Sequence, residues 1–249
     1  MAQVLSVQAN KREQFFLIMS LMMAATVVAG FGSNLLLGRV SIGEQPPIVH
    51  LHAFLFFGWM AIYVAQNALV AYGAVDWHRS LGRVALVWVP AMVIVGTIVT
   101  VRALRLKGPP PGLPADVLLF TNILSVSTFA ALVAAALVLR RRREWHRRLV
   151  LCGTSALIGT AIARLLPVPA LGALGPILVS IGLMLFPMAG AMRDILQRGR
   201  VHPAWYCGLA ALLAAQILPG QIGRTAPGHA VMVLVLQDSP QAGLLTHPS

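Results

Sequence analysis

Charged residues are scarce in this chain, and acidic ones are the scarcest. Only 7 of the 249 residues are Asp or Glu, and charged residues of both signs make up 10% of the sequence. Hydrophobic residues make up 58%. A soluble domain of this length has too small a core to bury so many apolar side chains. The composition therefore predicts an integral membrane protein.

Several signatures of chemistry are also missing. The sequence has no CxxC or HExxH motif and no glycine-rich phosphate loop, and no Ser/His/Asp set can be nominated from it. Its two cysteines both fall in apolar segments, so no disulfide is expected. All seven acidic residues fall in predicted loops or termini, which disfavours proton-coupled transport. Whether the chain is an enzyme stays open.

The apolar runs predict an all-α fold, a polytopic transmembrane helical bundle of about seven spans. Lipid offers no hydrogen-bond partner to the backbone, so each segment long enough to cross must be helical. We expect one transmembrane domain over residues 1–249, with the last span the weakest. The predicted spans are about 14–38, 48–73, 84–103, 117–139, 149–167, 171–192 and 202–220.

The basic residues are distributed as in a membrane protein. A net charge of +12 would suit a nucleic-acid binder, but six arginines lie in one short loop, residues 140–148, between two apolar runs. Outside the spans, the predicted inner side carries 13 Lys and Arg residues and the outer side carries 5. This asymmetry predicts an inner N-terminus and an outer C-terminus. We expect anionic lipid headgroups at the inner face, and no nucleic acid, as the partner of these arginines.

A six-residue phrase occurs twice, as DWHRSL at 76–81 and EWHRRL at 144–149. One interpretation is structural: the acid caps the returning helix, Trp anchors at the headgroups and Arg contacts lipid phosphate. The other is chemical, because both copies lie at the inner ends of spans. His78 and His146, with His202 as a third candidate, would then bind haem or a metal ion near the inner face.

The second span carries a stripe of polar and aromatic residues. A polar Gln near the middle of the membrane would not face lipid, so this face should point into the bundle and line a pocket or a helix contact. The stripe has a seven-residue repeat, His52, Trp59, Gln66 and Gly73, with Phe56 and Tyr63 on the same face and Asn67 beside it. The candidate pocket consists of Trp59, Tyr63, Gln66 and Asn67, together with Arg164 of the fifth span.

Two further residues lie at the predicted outer ends of spans. Arg164 is three residues before Pro167 and either extends to the interface or contacts an anion inside the bundle, across from the His52 end of span two. His52 is either a hydrogen-bonding interfacial residue or a cofactor ligand. His50 is expected to be structural.

Together these residues resemble an uncharacterised family of bacterial multi-span integral membrane proteins. The resemblance rests on the HxH motif at 50–52, the stretch 59–66, DWHRSLGR, EWHRRLVL and Arg164, and it covers roughly residues 45–205. It implies a multi-pass protein of the bacterial cytoplasmic (inner) membrane and transfers no catalytic residue. A looser similarity connects the chain to histidine-bearing membrane proteins of haem delivery and cytochrome assembly.

Three hypotheses about function remain open. The first is histidine-dependent haem or metal binding with a redox or cytochrome-assembly-like role, with a b-type haem near His52 or between His78 and His146. The second is a small-molecule transporter or receptor with its pocket on span two. The third is a non-catalytic accessory subunit of a homo-oligomer or a larger membrane complex.

Overall fold

The computed structural model describes residues 2–245, which are helical through most of their length. Turns and short irregular segments connect the helices, and the GPPPGLP segment at 108–114 is not helical, as its prolines predict. The helices are α1 Ala2–Leu36, α2 Pro47–Ala71, α3 Val75–Gly82, α4 Ala85–Lys107, α5 Ala115–Val138, α6 Arg143–Leu165, α7 Val168–Leu171, α8 Leu174–Arg198, α9 Pro203–Gly223 and α10 Ala226–Leu236.

Seven of these helices are long and apolar enough to cross a membrane, which confirms the predicted fold class. The seventh, in α9, is complete at 21 residues, although the sequence made it the weakest. The spanning segments are Gln14–Leu36, Pro47–Ala71, Ala85–Lys107, Ala115–Val138, Arg143–Leu165, Leu174–Arg198 and Pro203–Gly223. We call the end of the bundle that carries α3 the inner face and the opposite end the outer face, as the charge distribution predicts.

Helix α6 is the central helix of the bundle. It contacts α1, α5, α8 and α9, and it has the largest buried share of the seven spans. Small residues allow the close approach: a Cβ on Gly30 of α1 would lie 2.4 Å from the carbonyl oxygen of Ala161 in α6. Glycine at such a contact lets two helices pack almost backbone to backbone.

The inner part of α6 corrects two predictions from the sequence. The helix begins at Arg143, so Arg147 and Arg148 belong to it and not to a loop, and Arg148 is only 1% exposed. Asp194 lies within α8 and is 2% exposed, so the expectation that every acidic residue would lie in a loop or terminus is wrong. Each charge neutralises the other, which allows both to be buried.

The segment after α9 packs against the outer face of the bundle. Helix α10 contributes Met232 and Leu236 to a small apolar cluster with Leu104 of α4 and Leu119 of α5. The guanidinium of Arg105 donates to the carbonyl oxygen of Val235 at 2.9 Å. These contacts hold the segment onto the ends of α4 and α5.

Candidate functional site

The two histidines of the repeated phrase lie together at the inner face. The imidazole centroids of His78 and His146 are 6.4 Å apart, with the ring planes at 90°. Gly73, with a φ of 78°, ends α2 and lets the chain turn into the short helix α3, which carries His78. His146 lies in the first turn of α6. The two histidines are therefore neighbours in the fold, and their role as ligands stays a prediction.

Backbone carbonyls orient both rings in the same way. Nδ1 of His78 lies 3.4 Å from the carbonyl oxygen of Gln66, and Nδ1 of His146 lies 2.8 Å from that of Ala136. A carbonyl oxygen only accepts, so Nδ1 carries the proton in each contact and Nε2 keeps its lone pair in the neutral ring. An Nδ1–H bonded to a carbonyl is the usual second contact of a metal-binding histidine.

The protonation state of His78 also suits a ligand. Burial lowers the pKa of His78 below its ordinary value of 6.5, and the nearby His146 and Arg79 lower it further, against the effect of the Gln66 carbonyl. The ring is therefore neutral at neutral pH, and metals bind the neutral form.

The separation of the two rings can be compared with that of two imidazoles that hold one metal from opposite sides. Two imidazoles on opposite sides of a metal, each with a metal–nitrogen distance of about 2 Å, have ring centroids about 6 Å apart. Among the side chains the structure describes, no group of three or more His, Cys, Asp or Glu residues could hold a metal ion. The pair could therefore offer a metal two ring nitrogens, the number that a haem iron takes from a protein or part of the ligand set of an ion that keeps other ligands from solvent.

His202 does not join this pair, contrary to the three-histidine version of the prediction. Its Nδ1 accepts from the backbone N–H of Ala204 at 3.1 Å and so caps α9. Its ring packs against Trp145, with 5.3 Å between ring centroids. A ring nitrogen that accepts a backbone N–H has no lone pair left for a metal.

The acids of the repeated phrase do not cap helices, which corrects the structural interpretation of the phrase. Neither α3 nor α6 has a side-chain capping hydrogen bond. Asp76 forms an exposed ion pair with Arg79 at 3.1 Å. Glu144 instead pairs with arginines on its own helix and with Arg198 of α8.

A buried ion pair at the inner end of α6 holds three helices together. The guanidinium of Arg148 donates to both oxygens of Asp194, with its Nη2 2.7 Å from Oδ1 and its Nε 3.0 Å from Oδ2. The indole of Trp205 in α9 donates to the same carboxylate at 2.8 Å. Sequence reasoning missed this network. The available signal was Asp194 itself, which follows Arg193 at the end of an apolar run and lies four residues before Arg198.

The polar face of α2 points into the bundle, as predicted. Trp59 and Tyr63 are buried, and the indole N–H of Trp59 donates to the hydroxyl of Thr154 at 3.3 Å. The amide of Asn67 donates to the carbonyl oxygen of Tyr63. Two buried atoms of this face, the Tyr63 hydroxyl and Oε1 of Gln66, have no hydrogen-bond partner. The Asn67 amide lies near the Tyr63 hydroxyl but makes no hydrogen bond of ordinary length with it.

His52 and Arg164 lie at the outer end of the bundle, as expected. His52 stacks on Phe56 with 4.2 Å between ring centroids, and it lies within electrostatic range of Arg164. The guanidinium of Arg164 covers the ring of Phe31 at 4.2 Å and donates to the carbonyl oxygen of Thr160 at 2.6 Å. His50 contacts the carbonyl oxygen of Gln45. His52 is thus at the end of α2 far from the His78–His146 pair, and the two candidate cofactor sites are separate.

Comparisons with known proteins add no identity: no protein family, no curated protein and no solved structure matches this chain.

Proposed function

We propose that this protein holds one metal centre, a haem iron or a single transition-metal ion, between His78 and His146 near the inner face of the membrane. The observation that carries the proposal is the pair of rings 6.4 Å apart. The role that fits is electron transfer or delivery of the centre to another membrane protein, a redox or cytochrome-assembly-like function.

The chemistry of the pair supports this proposal over an incidental contact. Both Nδ1 atoms face carbonyl oxygens, which leaves an Nε2 lone pair on each neutral ring. Two neutral imidazoles in a partly buried site would hold a haem iron, and they would also hold a divalent ion such as zinc, copper or nickel. A bound haem would supply one-electron chemistry, and the chain would supply its two ligands, His78 and His146.

An absorption spectrum and an elemental analysis together distinguish a haem iron from a single metal ion. The protein is purified in detergent from cells supplied with haem and with transition metals, and its spectrum is taken oxidised and after dithionite reduction. Soret and α bands that are absent from His78→Gln and His146→Gln identify haem. Metal that is found by elemental analysis in protein without these bands, and that is lost in both variants, identifies a single ion. Protein that carries neither haem nor metal contradicts the proposal, and His50→Gln is the control.

A second candidate function is recognition of a small polar molecule by the inward face of α2. Its support is the pair of unpartnered buried atoms, the Tyr63 hydroxyl and Oε1 of Gln66, which lie one helical turn apart. Each such atom costs about 1–3 kcal/mol, and a ligand that bonds both would recover that free energy. Screening for thermal stabilisation tests this function, because Gln66→Leu should abolish the effect of a true ligand. Stabilisation that survives Gln66→Leu argues against the pocket.

The cellular setting is part of the proposal. We place the chain in a bacterial cytoplasmic (inner) membrane with its N-terminus inside, where the exposed residues Arg141, Arg142 and Arg143 contact anionic lipid. Labelling of single cysteines from either side of the membrane tests this orientation. An accessory role in a homo-oligomer or a larger complex remains the alternative, and mild solubilisation that always yields the chain alone would count against it.

A further inference from the structure

A groove on the lipid-facing side of the bundle lies between α1 and α2. Its volume is about 460 Å³, and its walls are apolar. Its lining includes small side chains, Ala24 on α1 and Ala61 and Ala65 on α2, and larger ones such as Val28 and Phe57. A groove of this composition in a membrane accepts a hydrocarbon chain and excludes a polar ligand.

The outer end of the groove leads to a positive charge. Phe57 at the border of the groove contacts Phe31, with 5.5 Å between ring centroids. The guanidinium of Arg164 lies over the other aromatic ring of this contact, Phe31, at 4.2 Å from its centroid. His52 is within electrostatic range of the same guanidinium. The groove and the charge are therefore joined through one pair of phenylalanines.

The charge of Arg164 has no counter-ion in the described part of the chain. Its side chain is half-buried and makes one hydrogen bond, to the carbonyl oxygen of Thr160, and no ion pair with any described Asp or Glu. Most of its N–H groups are thus available to an acceptor from outside the chain. A cationic side chain near the end of a membrane-spanning helix is stabilised by an anion at the membrane interface.

We infer that this site binds one anionic phospholipid of the outer leaflet, with its phosphate on Arg164 and one acyl chain in the groove between α1 and α2. The dimensions agree with this arrangement. One leaflet is about 15 Å deep, half of the hydrocarbon thickness of about 30 Å. At about 1.5 Å per residue, the groove residues of α2 lie between about 8 Å (Phe57) and about 20 Å (Ala65) inward from His52, so the groove begins within the outer leaflet and ends just past its inner boundary. The inference is independent of the metal centre.

Native mass spectrometry tests the inference with defined lipid. The full chain is reconstituted in nanodiscs of equal parts phosphatidylglycerol and phosphatidylcholine, released, and scored for the lipid that stays bound. We expect one retained phosphatidylglycerol per chain. Arg164→Gln should lower its retention about tenfold, the effect of losing one charge-assisted hydrogen bond of about 1.4 kcal/mol. Arg164→Lys should keep part of it.

Two controls separate the charge from the groove. Ala61→Trp fills the groove without changing a charge and should also lower retention, whereas Ala134→Trp, at an exposed position on α5, should not. Arg224→Gln removes an exposed charge at the outer face and should leave retention unchanged. Equal retention of both lipids, or retention in Arg164→Gln equal to that in Arg224→Gln, overturns the inference.

Discussion

Trp205 donates its indole N–H to the same oxygen of Asp194 that accepts from Nε of Arg148, at 2.8 Å and 3.0 Å respectively. One carboxylate on α8 thereby fixes a side chain of α9 and a side chain of α6 at the inner face. The contact gives the inner ends of three helices a defined register. His146 lies two residues before Arg148 on α6, so the same contact fixes the helix that carries one member of the histidine pair.

Replacing Asp194 by Ala should destabilise the protein by about 3–5 kcal/mol, because it leaves the buried guanidinium of Arg148 without its main partner. Asp76→Ala is the matched control: it breaks an ion pair whose carboxylate is 94% exposed, and such pairs contribute about 1 kcal/mol or less. Thermal unfolding in detergent measures both. A double variant, Arg148→Met with Asp194→Leu, should recover part of the loss. Equal stability of Asp194→Ala and Asp76→Ala would refute this account of the network.

Gly30→Ala should separate α1 from α6 and cost about 1–3 kcal/mol, the usual effect of overpacking. The added methyl group would lie 2.4 Å from a backbone carbonyl oxygen, which cannot move away by changing rotamer. Gly32→Ala tests the specificity of the effect, because a Cβ there meets nothing within 4 Å. The measurement is the melting temperature of each variant, and the prediction fails if the two variants melt together.

Stability should fall as the pH falls below about 6.5, in part through His202. Burial lowers the pKa of His202, and Arg148 lowers it further, although Glu144 and Asp194 oppose this. The unfolded chain therefore takes up the proton at a higher pH than the folded chain, so acid favours unfolding. Protonation also removes the Nδ1 lone pair that caps α9.

The test of this pH dependence is His202→Asn. Asn caps a helix at any pH, so the variant should lose less stability than the wild type between about pH 7.5 and about pH 5.5. Melting temperatures at the two pH values measure the difference. His229→Gln, at an exposed position on α10, should behave as the wild type does. If the melting temperature of His202→Asn falls with pH as steeply as that of the wild type, His202 does not contribute to the pH dependence of stability.

Tyr63→Phe should leave the ligand-free protein as stable as the wild type or more stable. The Tyr63 hydroxyl is buried without a partner, and its removal avoids a desolvation cost of about 1–3 kcal/mol. Thr154→Val should instead lower stability, because it removes the acceptor of the Trp59 indole. Thermal unfolding of the two variants checks the contrast. A clear loss in Tyr63→Phe would mean that the hydroxyl is bonded to water or to a ligand that purifies with the protein.

The fold was predictable because lipid restricts it so strongly. The lengths of the apolar runs, divided at charged residues, predicted seven helices, since a segment in lipid must form all its backbone hydrogen bonds within itself. The repetition of DWHRSL and EWHRRL was enough to predict that His78 and His146 lie close together, because each copy follows the inner end of a span. The stripe on α2 likewise predicted that Trp59 and Tyr63 would be buried.

The polar contacts between distant helices were not predictable in the same way. Asp194 and Arg148 are 46 residues apart. The sequence around each of them predicts a loop, because a single charge is usually found outside a membrane span. Only their mutual neutralisation makes burial favourable, and that depends on the packing of α6 against α8. The partner of Trp59, Thr154, was missed for the same reason, because hydropathy does not indicate which helices face each other.

The amount of haem or metal bound per chain tests the central claim most directly. If His78 and His146 hold one centre together, the wild type binds about one equivalent, and each single variant, His78→Gln or His146→Gln, loses as much as the double variant does. His50→Gln keeps the wild-type amount. Binding that persists in both single variants, or a wild type that binds nothing when haem and metals are supplied, would contradict the account.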